Sequence, residues 1–175
     1  RTAERAGHVH DDHDLAAILA LHSTQWQGFV CNLADGAAVN TLLPRIIRHF
    51  GQAPDLIVNN ASRFAHDDAG TLVDIELAAH LAINLSAPVL LATGLAAHLE
   101  DGRTGVVINI TDQRVRHPNG DQLSYTLSKQ ALTAATLTLA RALAPRGRVN
   151  AVAPGLTRPT DDYRPAQMVA LEEMM

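Results

Sequence analysis

The sequence predicts an α/β fold built on a doubly wound parallel sheet. Three observations carry this reading. Short continuous runs rich in Val and Ile occur four times, longer helical patterns separate them, and polar or Gly/Pro residues follow each run directly. The runs are residues 28–31 (GFVC), 55–59 (DLIVN), 105–111 (GVVINIT) and 148–153 (RVNAVA), with a weaker fifth at 7–10. Runs of this length without polar alternation suit strands buried on both faces. Strand and helix alternating at this rhythm give parallel strands joined by right-handed crossovers.

The helices follow in order. Residues 14–22 form a short Ala/Leu-rich pattern. Residues 37–50 start after Asp35, a side chain suited to N-capping, and stop at Gly51. Residues 72–99 are too long for one straight helix and contain Pro88, so two helices are predicted to meet near 84–88. Residues 123–144 carry apolar positions at helical spacing and end before Pro145 and Gly147.

The chain has 175 residues, 14 Lys plus Arg against 18 Asp plus Glu, and hence a net charge of 14 − 18 = −4. At 47% apolar and 18% charged it reads as one globular domain, and neither a coiled coil nor a disordered chain. One cysteine, Cys31, excludes an internal disulfide framework. The mild acidity and the lack of basic blocks argue against nucleic acid. No apolar run approaching a membrane span and no apolar N-terminal leader are evident, which points to the cytoplasm and to no membrane partner. His8, His10 and His13 cluster without matching Cys or carboxylate geometry, so no metal site is predicted. Thirteen of the 14 basic residues are Arg, and the one lysine is Lys129.

In parallel sheets ligands collect beyond the carboxyl ends of the strands. Those positions here are residues 32–35, 59–62, 111–114 and 154–157, which together describe one rim. Just beyond the third lies the sharpest motif, Tyr125-Thr126-Leu127-Ser128-Lys129. Tyr and Lys at i and i+4 share a helix face. An ammonium near a phenol favours the phenolate and makes the phenol a usable proton donor. The same pair also suits an ordinary solvated helix surface. Arg114, Arg116 and His117 occupy the loop leading to this helix, where each is a candidate substrate contact or simply solvated.

Read together, Asn59-Asn60-Ala61-Ser62 after a strand, Asn84 in a helix, Asp112 at a strand end, Tyr125 with Lys129, and Pro154-Gly155 resemble the short-chain dehydrogenase/reductase family in order and spacing. The resemblance runs from about residue 29 to 157. It implies a Rossmann-type, three-layer α/β/α sheet and a nicotinamide dinucleotide cofactor, NADP (NADPH) by likeness to the reductive branch, with NAD as the other option. It assigns Tyr125 as proton donor and Lys129 as the group that lowers its pKa and binds the nicotinamide ribose. It gives Asn84 a water in a proton relay. Asn32 and Leu33 fall beside the adenine. Asn59, Asn60, Ala61 and Ser62 fall along the ribose and nicotinamide side, and Pro154, Gly155 and Thr157 by the carboxamide.

Departures from the family pattern sharpen the reading. The family's catalytic serine is Asp112 here, and an ionised carboxylate only accepts hydrogen bonds. Beside Tyr125 it opposes phenolate formation. A strand reading Ile-Asn-Ile-Thr-Asp looks like the pteridine reductase and dihydromonapterin (dihydrofolate) reductase branch, whose substrates present N–H groups to a carboxylate. The glycine-rich phosphate loop is not found ahead of residue 29, and the chain stops about 20 residues after Pro154-Gly155. The whole is therefore read as one partial dinucleotide-binding domain, incomplete at both ends and lacking its first strand, with residues 156–175 as a mobile substrate lid carrying Tyr163 and Met168. The expected activity is NADPH-dependent reduction of a pterin-like or dihydrofolate-like C=N bond. Carbonyl or alcohol chemistry on the same fold, or non-catalytic dinucleotide binding, are the alternatives. The resemblance also implies a homo-oligomer, dimer or tetramer, joined through the helices at 72–99 and 123–144.

Overall fold

A computed structural model describes residues 27–155. Helix α1, Gly36–Phe50, opens the described part. Its start is set by Asp35, whose Oδ1 accepts from the N–H groups of Ala37 at 2.9 Å and Ala38 at 3.3 Å. Its end is set by Gly51, which adopts the left-handed region at φ 78° and donates its N–H to the Ile47 carbonyl. Pro44 lies inside this helix, which the sequence reading did not single out.

Strands β1 (Leu56–Asn59), β2 (Gly105–Ile110) and β3 (Gly147–Val152) form one parallel sheet in that order. Leu56 pairs with Val106 and Gly105 with Gly147, so the strand ends come into line. The segment 72–99 is one continuous helical path. Helix α2 (Asp74–Leu81) runs through a wide π-helical turn (Ala82–Ser86) into α3 (Ala87–His98). The two predicted helices therefore meet where expected, through a widened turn and without a break, and Pro88 lies just after that turn. Helix α4, Leu123–Leu143, completes the set.

The core lies on one face of the sheet. Leu43 of α1, Ala92 and Leu95 of α3 and Leu139 of α4 pack with Val107 and Val149 of the sheet. Burying each of the larger side chains contributes about 1.5–3 kcal/mol. Gly105 and Gly147 allow the close approach: a Cβ on Gly105 would sit 2.9 Å from the Leu95 side chain, and one on Gly147 2.8 Å from Leu143. The opposite face carries Leu56, Val58, Val106 and Ile108. Among the described residues no helix covers it, and Leu56 and Val58 are each 52% exposed.

Two expectations are corrected here. Residues 28–31 do not join the sheet. Val30 is 91% exposed and its carbonyl accepts from Arg45 Nη1. No described strand lies beside it, and a β conformation without a ladder partner gains nothing. Instead the Phe29 ring rests against His49, Phe50 and the Arg45 guanidinium at the end of α1. The second concerns the path from Asp74 to His98. It is 25 residues long with a mean hydropathy of 1.6 over its best window, long and apolar enough to cross a membrane. It escaped notice because His80 and Asn84 interrupt the apolar run. Both are buried here, and the helix packs against α1, α4 and the sheet. The strand expected at 7–10, the helix at 14–22 and the lid at 156–175 lie outside the described residues.

Candidate active site

The carboxyl end of the sheet is organised from beneath by a buried polar ladder. Asn59 and Asn109 pair across β1 and β2. Asn59 Nδ2 donates to Asn109 Oδ1 at 2.8 Å, and Asn109 Nδ2 donates to Thr136 Oγ1 of α4 at 2.9 Å. The Thr136 hydroxyl in turn donates to the Leu132 carbonyl at 2.8 Å. Sequence reasoning missed Asn109 and Thr136. The available signal was one amide inside the Val-Val-Ile-Asn-Ile run.

Beyond β1 the chain turns into the segment 60–68, which is held by Asn84 at the π-helical turn. Asn84 Oδ1 accepts from the Arg63 N–H at 2.7 Å and from Ser62 Oγ at 3.2 Å. Its Nδ2 donates to the Arg63 carbonyl and to Ser128 Oγ, both at 2.9 Å. Two donors and two acceptor positions exhaust a carboxamide. The Asn84 side chain therefore has no donor or acceptor position left for the relay water expected of it. The held segment also reaches α4. Asp67 accepts from the N–H of Ser124 at 3.0 Å, which caps the helix from a distant loop, and Phe64 meets the Tyr125 ring edge-on at 4.7 Å.

Tyr125, Asp112 and Lys129 come together at this helix start. The Tyr125 hydroxyl donates to Asp112 Oδ2 at 2.7 Å. Asp112 Oδ1 accepts from the Arg114 N–H at 2.8 Å. Lys129 Nζ donates to the Ile110 carbonyl at 2.8 Å and stands 5.7 Å from the centre of the Tyr125 ring. Gln122, at φ 50° in the left-handed region, turns the loop into this helix. Burial pushes the Tyr125 phenol well above its usual range, and the Asp112 carboxylate pushes it further. Burial also brings Lys129 down to about 8, against an opposing pull from Asp112. The phenol is thus raised where a lowering by Lys129 was expected, and the charge that acts against the rise is Arg114. The ammonium is bonded to a carbonyl, and the carboxylate holds the proton on oxygen.

Leu33, Asn59, Asn60 and Ala61 line one apolar cavity of about 320 Å³ with Ile83 and Leu91. Tyr125, Lys129 and Asp112 lie outside it. Asn32 is exposed and spends its side chain on the Ala34 N–H, closing a turn. The Pro154 carbonyl accepts from the Gln113 N–H at 3.1 Å, and Gly155 lies against the Gln113 side chain. Thr157 lies outside the described residues. Arg116 and His117 are exposed, but Arg114 is not. Its guanidinium is buried and pairs with Asp121 at 2.8 Å, so it is not the free substrate hook that the sequence suggested.

Comparison with known proteins assigns the fold. A family model described as short chain dehydrogenase matches residues 8–167. The chain belongs to the short-chain dehydrogenase family. A solved structure of FolM alternative dihydrofolate reductase 1 from Brucella suis in complex with NADP is 39% identical, with a TM-score of 0.76 over 86% of this chain and 63% of that one. Dihydromonapterin reductase of Enterobacter sp. (strain 638) is 36% identical over 102 residues, covering 57% of this chain and 42% of its own. The 3-oxoacyl-acyl-carrier-protein reductase FabG of Escherichia coli (strain K12) is 29% identical over 97% of this chain and 72% of its own. Elsewhere the chain spans about half the length of the curated relatives it matches.

Proposed function

We propose that the protein is an NADPH-dependent reductase of a pterin-like or dihydrofolate-like C=N bond. The observation that carries this is the Tyr125 hydroxyl donating to an aspartate, Asp112, whose second oxygen is already held by a backbone N–H. Such a pair offers a filled proton source beside an acceptor-only group. It suits a substrate that is both a proton acceptor at one nitrogen and an N–H donor at its neighbours. The likeness to the Brucella suis and Enterobacter reductases supports the same reading.

The donor set fits the nicotinamide-ribose part of such a cofactor. Lys129 has two ammonium hydrogens without a partner among the described residues, at the carboxyl ends of β2 and β3. Tyr125, Lys129, Asn59 to Ser62, Pro154 and Gly155 would border it, and Thr157 belongs to the same reading. Bound NADPH would supply the hydride. Tyr125 then gives its proton to the substrate nitrogen. Asp112 orients the ring through its N–H groups, and Lys129 offsets the negative charge that appears on the phenol oxygen. The reading also carries a homo-oligomer, since Ile75 of α2 and Leu137 of α4 are 71% and 69% exposed on helices that a second copy would cover.

Carbonyl reduction is the second reading, favoured by the likeness to FabG over nearly the whole chain. Steady-state turnover of dihydrobiopterin and dihydrofolate against a panel of ketones, with NADPH and with NADH, tests both. Pterin turnover above ketone turnover is expected. Ketone turnover alone would replace the first reading with the second.

A further inference from the structure

Asp112 is useful only if its carboxylate keeps one orientation. The side-chain torsion of an aspartate is broad, so a single hydrogen bond from Tyr125 leaves the plane of the group free to turn. The second bond, from the Arg114 N–H to Oδ1 at 2.8 Å, fixes that plane. The donor belongs to a turn of only three residues, Gln113–Val115, too short to hold itself. The Gln113 N–H ties its first residue to the Pro154 carbonyl at 3.1 Å, and the tie to the far end of the loop is the side chain of Arg114 itself. Arg114 Nη1 donates to Asp121 Oδ1 at 2.8 Å and Nη2 approaches Asp121 Oδ2 at 3.5 Å, with the arginine side chain only 11% exposed. Asp121 immediately precedes Gln122, where the chain turns left-handed into α4 and brings Tyr125 round. The ion pair therefore spans the whole loop. One end fixes the donor to Asp112, and the other fixes the start of the helix that carries Tyr125.

We propose that Arg114 is a positioning residue. Clasped to Asp121, it closes the loop between β2 and α4 so that Asp112 is presented to the Tyr125 hydroxyl and to substrate N–H groups in one fixed plane. This rests on the reductase reading for its kinetic consequence but not for its geometric one. Two further observations agree. Arg114 also works on Tyr125 as a nearby positive charge, against Asp112. The bond from Arg114 holds the Asp121 carboxyl below the usual carboxylate range, as a permanent clasp requires.

The test compares Arg114→Leu, Arg114→Lys and Asp121→Ala with the parent in the intact protein. Raman difference spectra against Tyr125→Phe isolate the Tyr125 hydroxyl and report whether it donates a strong hydrogen bond. Loss of the strong-donor signature is expected in Arg114→Leu and Asp121→Ala, with partial return in Arg114→Lys. Hydrogen exchange should rise across residues 113–122 and stay unchanged in the second half of α4. Where a substrate is turned over, kcat should fall ten- to a hundredfold with the KM for NADPH unaltered. An unchanged donor signature in both Arg114→Leu and Asp121→Ala overturns the clasp, as does an unchanged kcat. Asp121 is half exposed, so its variant keeps the test open if Arg114→Leu does not fold. A parent protein that shows the signature and its loss but reduces no pterin would sink the pterin reading and leave the clasp standing.

Discussion

Two polar groups meet helix α4, and they behave in opposite ways. Under the sheet, Asn59, Asn109 and Thr136 form a ladder of neutral groups, each bonded to the next. At the rim, Asp112, Tyr125, Lys129 and Arg114 form a charged group in which a phenol is held protonated and an ammonium keeps donors in reserve. The ladder's bonds run within the protein, from one neutral side chain to the next, and fix distances. The rim group is poised, because its bonds can be exchanged for bonds to a substrate. The difference separates bonds that build the site from bonds that can be exchanged in it.

The largest effect should come from the rim. Tyr125→Phe removes the proton source, and kcat should fall by about 10²–10⁴ with little change in thermal midpoint. A variant that keeps its turnover would move the chemistry elsewhere. Next comes the ladder. Asn109→Leu strands the Asn59 amide without its acceptor, and urea unfolding should show a loss of about 2–3 kcal/mol. Weak destabilisation there would mean that water replaces the amide. Asp112→Ser should cut pterin turnover roughly tenfold or more while ketone turnover holds or rises, since a serine both donates and accepts.

The smallest effect sharpens the contrast through pH. Lys129 titrates near 8 in the folded protein against an ordinary value of 10.5, so the folded state binds fewer protons between those values. Stability therefore rises with pH in that window, by about 1–2 kcal/mol from pH 7 to 9.5. Above about pH 10 the trend reverses, because the raised Tyr125 phenol keeps its proton in the folded state while the unfolded chain loses it. Lys129→Met should lack the rise, which urea unfolding at the two pH values measures. No ladder residue titrates, so Thr136→Val should leave the slope untouched.

Much of this was legible because it is local. Asp35 and Gly51 mark the two ends of α1 in the chain itself, and the Val/Ile runs mark β1, β2 and β3. Tyr125 and Lys129 share a helix face by spacing alone. What escaped depends on partners far away in sequence. Residues 28–31 look like a strand, but no neighbouring strand is present among the described residues to pair with them. Asn109 looks like a flaw in a strand until Asn59, 50 positions away, is set opposite it. Arg114 reads as a surface charge until Asp121 closes on it. Lys129 was expected to govern the phenol, but burial and Asp112 do.

The widened turn at Ala82–Ser86 has a consequence of its own. A regular helix rotates 100° with every residue, so its two halves cannot be re-aimed independently. One extra residue absorbed in a single turn uncouples them. The half that grips the sheet through Ala92 and Leu95 keeps its angle, while the half that meets the segment after β1 is dialled to a different one. Variation in the front half can thus reshape the mouth of the site with the foundation left as it was.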